Sequence, residues 1–121
     1  MGRKPGDLIE IFRGGHSCWA VYVGGGNVVY FVITEYYPSP SGLAGNAVGG
    51  GKVLKKNLED VVEKDRWRVN NFLDHKYRPG PADDMVKKAC SLVDTDLQYD
   101  LGDYNCDRFA TEMRYGLRVG R

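Results

Sequence analysis

The chain has almost no net charge: seventeen Lys and Arg against sixteen Asp and Glu leave +1 over 121 residues. It offers no global field for a polyanion, so nucleic acid is not an expected partner. Long apolar runs are missing. The longest, Val28 to Ile33, is six residues, which excludes a spanning helix and the apolar core of a signal peptide. Cysteine is sparse and odd in number, three in all, so a disulfide framework is not expected. Two histidines and no C-x-x-C spacing leave no zinc pattern, and Gly24-Gly25-Gly26 lacks the Lys and Ser/Thr of a phosphate loop. No metal and no cofactor are expected. What is there is globular: 42% hydrophobic, 12% aromatic and 27% charged residues. The length fits one domain over 1–121. The default is a soluble, cytoplasmic monomer in a reducing compartment.

The first half patterns as β. Asp7 to Arg13 alternates Leu8, Glu10 and Phe12 against Ile9, Ile11 and Arg13, while Trp19 to Val23 and Asn27 to Thr34 are β-branched and aromatic. The three glycines between the last two suggest a hairpin. Pro38 to Gly51 holds five Gly, two Pro and two Ser and reads as a flexible loop. Lys52 to Lys56 and Arg66 to Asn70 are further strand candidates, with helical character at Leu58 to Glu63. The last third is helical. Pro81 suits a first helical position, with Asp83 and Asp84 in the first turn. A final helix runs from about Asn105 to Tyr115 and stops at Gly116. Its apolar stripe is Cys106, Phe109, Ala110 and Met113. The class is α+β, a small antiparallel sheet packed against helices.

Cys106 is the first candidate for chemistry. It falls at the N-terminus of the last helix, where partial positive charge and free N–H groups lower a thiol's pKa and can receive an oxyanion. On that ground it should alkylate faster than Cys90, which lies on a helix face as core. The bland alternative is a buried thiol on an apolar stripe. A nucleophilic thiol needs a base. His75 sits in a polar stretch and reads as a surface residue, whereas His16 abuts a core strand in Gly14-Gly15-His16-Ser17-Cys18. The basic residues Arg3, Lys4, Lys52, Lys55, Lys56, Lys64, Arg66 and Arg68 are a solvated face or a patch for an anionic lipid surface.

Several motifs agree at once. Pro5 to Arg13 (PGDLIEIFR), Trp19 to Gly24 (WAVYVG), Arg68 to Asn71 (RVNN), Asp74-x-Lys76-Tyr77-x-Pro79, Asn105-Cys106 and Arg114-Tyr115-Gly116 resemble the phospholipase A and acyltransferase family (HRAS-like suppressors), relatives of lecithin retinol acyltransferase. The resemblance covers nearly the whole chain. It implies a circularly permuted papain-like fold of the NlpC type, with the nucleophile at the start of the last helix. It also implies peripheral work on phospholipid membranes. There Cys106 would attack a glycerophospholipid ester, form a thioester, and pass the acyl group to water, a lysophospholipid or phosphatidylethanolamine. Arg13, Trp19 and Asn105 lie inside the matching motifs and are expected at the substrate.

The resemblance fails where the base should be. The family's base histidine directly precedes Trp-Ala, and that position is Cys18; its second histidine falls on Tyr30. A general base is worth about 10²–10⁴-fold in rate. His16, two residues before Cys18, is the available substitute, with Tyr30 to orient its ring by a hydrogen bond. Two main functions compete: an active or impaired thiol acyltransferase, and an inactive relative that binds membranes or proteins. A third is a redox role for Cys18 and Cys106, because a thiol in the base position faces the nucleophile and a disulfide between them becomes accessible under oxidant.

Overall fold

A computed structural model describes residues 2–37, 48–100 and 104–116. Its strands are β1 (Leu8–Phe12), β2 (Ser17–Gly24), β3 (Asn27–Tyr37), β4 (Val48–Asn57), β5 (Trp67–Val69) and β6 (Asp96–Asp100). The helices are α1 (Leu58–Val62), α2 (Ala82–Ser91) and α3 (Cys106–Tyr115). All six strands form one antiparallel sheet in the order β5-β1-β2-β3-β4-β6. No helix among the described residues is long and apolar enough to cross a membrane.

Strand alternation splits the core into two clusters. Leu8, Trp19, Val21, Val29, Phe31 and Val53 meet Ala89 of α2 and Phe109, Ala110 and Met113 of α3. The intervening Ile9, Ile11, Ala20, Tyr22 and Val28 meet Leu58, Val61 and Val62 of α1. The helices therefore cover both clusters, and α3 runs against β2 and β3, where the site lies.

The expected strands all form: β2, β3 and β4 are longer than expected, and β1 and β5 are shorter. The glycine-rich stretch differs from expectation. Residues 38–47 lie outside the described residues, but Val48 to Gly51 belong to β4 rather than to a loop. Glycine fits there because the sheet is crowded: a Cβ on Gly51 would come 2.6 Å and 2.7 Å from ring carbons of Phe31. Pro81 sits one residue earlier than expected, as the N-cap of α2 with extended backbone (ψ 138°). Strand β6 has no counterpart in the sequence reading.

The sequence motifs away from Cys106 build a frame. Arg114, buried, donates from Nε and Nη2 to the two carboxylate oxygens of Asp74 (2.9 and 2.8 Å) and from Nη1 to the Gly6 carbonyl (2.9 Å). The Tyr115 hydroxyl donates to Asp74 (2.7 Å) and accepts from the Leu73 N–H (3.1 Å). Asn71 accepts from the Leu8 N–H (2.8 Å) and donates to Asp7 (3.1 Å). The end of α3, the 71–77 segment and the entry to β1 are thereby locked together.

Candidate active site

Cys106 is the first residue of α3. Asn105 is its N-cap, accepting the Arg108 N–H through its side-chain oxygen (3.1 Å), as capping chemistry favours. Cys18 lies in β2, two residues after the turn that joins it to β1. The two thiols line one cavity, and both are partly exposed. Cys106 packs on the core beneath α3 and Cys18 on the core beneath α1, so the pair bridges them. Around it lies a cavity of about 260 Å³ lined by Arg13, His16, Cys18, Tyr30, Phe31, Val32, Ile33, Tyr99 and Cys106.

Arg13 fixes the electrostatics. Its guanidinium is held by Asp65 and by the Val61 carbonyl (2.7 Å), and it lines the cavity with Cys18. Its backbone N–H donates to the His16 carbonyl (2.9 Å), closing the β1–β2 turn. The hydrogen bond from Cys106, then the charges of His16 and Arg13, pull the Cys18 thiol down to about 6 against the opposing effect of burial. Cys106 moves the other way: the thiolate beside it and its burial push it up, although the Trp19 backbone and the Tyr99 hydroxyl favour its charged form. The two sulfurs thus share one negative charge, which His16 and Arg13 draw toward Cys18. A helix N-terminus alone pointed to Cys106. The charges of His16 and Arg13, both acting on Cys18, oppose it.

The remaining candidates fall into place around this pair. His16 is exposed at the cavity rim and acts on Cys18 through its charge. Tyr30 shares the cavity, and burial pushes its phenol up. The Trp19 indole, 2% exposed, is core and stacks on Phe72 at 4.8 Å; only its backbone reaches Cys106. His75 is exposed, and Cys90 packs against the α3-side core, as expected. Tyr99 was missed. It accepts the Cys106 N–H at 3.4 Å through its hydroxyl and stacks on Phe31 at 4.8 Å. Its strand, β6, alternates over only five residues, with Leu97 and Tyr99 inward, and was not read as a strand.

A six-stranded antiparallel sheet with helices and a thiol pair at the head of α3 defines an α+β protein compatible with the lecithin retinol acyltransferase fold. The chain belongs to that family: the lecithin retinol acyltransferase model matches residues 2–119. It is 40% identical to human phospholipase A and acyltransferase 4 over 115 residues, 93% of this chain and 70% of that protein. It is likewise 40% identical to human phospholipase A and acyltransferase 3, with 94% and 72% of the two chains covered. Human phospholipase A and acyltransferase 1 follows at 38%, with 93% and 67% covered.

Proposed function

We propose that this domain modifies phospholipids by acyl chemistry on Cys106, as a phospholipase A or acyltransferase of reduced power. The observation that carries the reading is the position of Cys106. It heads α3 in a cavity that a second sulfur, Cys18, also lines, within a chain whose relatives are named for that activity. Cys18 takes the proton from Cys106. The resulting thiolate attacks an ester carbonyl, and Cys18 returns the proton to the leaving lysophospholipid oxygen. The thioester is then cleared by water or by an acyl acceptor. Proton transfer is uphill, because Arg13 and His16 favour charge on Cys18 rather than Cys106. Loss of an efficient base costs about 10²–10⁴-fold.

The test is turnover of a fluorescent phosphatidylcholine, with capture of a hydroxylamine-sensitive acyl group on Cys106. Weak wild-type activity is expected, abolished by Cys106→Ala and raised about 10²–10⁴-fold by Cys18→His with Tyr30→His. The substituted base favours one alternative, an inactive relative that binds membrane surfaces through its exposed Lys55, Lys56, Lys64 and Arg66. No thioester in any variant, together with liposome binding that weakens steeply with salt, selects that alternative.

A further inference from the structure

We propose that Cys18 and Cys106 form a hydroperoxide-reactive dithiol, with Cys18 the attacking sulfur and Cys106 the resolving one. Four features meet at the pair. Cys18 and Cys106 line one cavity from β2 and the head of α3, two elements packed directly against each other. Both are partly exposed on a cavity that admits a small peroxide. Arg13 lines the same cavity and is fixed from behind by Asp65 and Val61, so its charge stays where a thiolate needs it. The same guanidinium can donate to the peroxide as its O–O bond breaks. The third thiol, Cys90, lies in α2 outside the cavity and has no part in it.

The chemistry balances on these groups and a hydroperoxide. The Cys18 thiolate attacks the terminal peroxide oxygen. The S–O bond forms, the O–O bond breaks, and the departing alkoxide or hydroxide takes a proton from solvent. Cys18 is now a neutral sulfenic acid. The thiolate that held the Cys106 proton in place has gone, while the Trp19 backbone and Tyr99 hydroxyl that favour a charged Cys106 remain. Cys106 attacks the Cys18 sulfur, its proton leaves with the hydroxyl as water, and the disulfide closes. Two electrons pass from the dithiol to the peroxide. A small external thiol restores the pair by exchange. While oxidised, the domain has no free Cys106, so any acyl chemistry there stops.

The experiment uses the full chain and hydrogen peroxide as probe. One equivalent of peroxide, followed by non-reducing peptide mapping, should give a Cys18–Cys106 cross-linked peptide with Cys90 still free, and dithiothreitol should reverse it. Oxidation of the pair should run at least about tenfold faster than that of Cys90. In Cys106→Ala, dimedone should label Cys18 as its sulfenic acid, and in Cys18→Ala, Cys106 should stay reduced. Oxidation of Cys90 at the same rate as the pair, or no cross-link in the wild-type protein, overturns the proposal. These readouts report thiols and not lipid turnover, so a failed acyltransferase assay leaves them intact.

Discussion

Replacing Arg114 with Met tests what holds the frame behind the site. Arg114 makes three charge-assisted contacts in a largely buried setting, two to Asp74 and one to the Gly6 carbonyl, with Asp7 at 3.8 Å. Methionine keeps much of the volume and removes every donor. The Gly6 carbonyl and the Asp7 carboxylate, 11% exposed, then lose their cation. Breaking a buried pair costs about 3–5 kcal/mol. Asp74 is 39% exposed and can rehydrate, which lowers the figure to roughly 2–4 kcal/mol. For a domain of this size that is a fall in Tm of about 10–15 °C at pH 7. The pH dependence adds a second signature. The Arg114 hydrogen bonds hold the Asp74 carboxyl below the ordinary carboxylate range. Its contribution is therefore complete above the unfolded value of about 4 and is lost as pH falls through the lower folded value. Methionine removes that coupling, so the gap between variant and wild type should narrow in acid. Calorimetric melts at pH 7 and pH 3 decide it. A drop under about 3 °C at pH 7, or a gap that is no smaller at pH 3, refutes the reasoning.

Gly51→Ala should destabilise by about 1–3 kcal/mol, because the new methyl must displace the Phe31 ring and the Val32 carbonyl lies 2.9 Å away. A thermal melt unchanged within 1 °C or so would contradict that packing. Brief iodoacetamide treatment should alkylate Cys18 before Cys106, with a rate that rises through pH 6 and levels off by about pH 8. Mass spectrometry showing Cys106 first, or a Cys18 rate still climbing at about pH 9, would place the charge on the other sulfur.

Much of the fold was legible because β1, β2 and β3 carry alternation that the sheet uses directly: Leu8 faces the α3 side while Ile9 and Ile11 face α1. Strand β6 was hidden because its sequence, Asp-Leu-Gln-Tyr-Asp, is an edge strand with one fully buried residue, Tyr99. Its pairing depends on Val48 to Lys52 of β4, whose own start is masked by three glycines. Both omissions have one origin, since glycine in a crowded strand reads as a turn until its neighbours are known. The site was legible in the same measure. The family resemblance, not periodicity, set Cys18 opposite Cys106. Tyr99 went with its strand, and the role of Arg13 depended on Val61 of α1 and on Asp65 just beyond that helix, anchors more than forty residues away.

Arg13 also explains how one scaffold tolerates either group at position 18. A cation fixed from outside the cavity stabilises an anion and disfavours a second cation. With cysteine there, it favours the thiolate and so pins the site's charge on Cys18. With histidine there, it would oppose the imidazolium and keep the ring neutral at pH 7, the form that can accept a proton from Cys106. The same charge therefore lowers the proton affinity of either group, keeping a histidine neutral and holding a cysteine as its thiolate. Histidine at position 18 leaves a neutral acceptor beside Cys106. Cysteine leaves a thiolate that Arg13 resists neutralising, and that difference turns a site suited to proton transfer into one suited to sulfur chemistry.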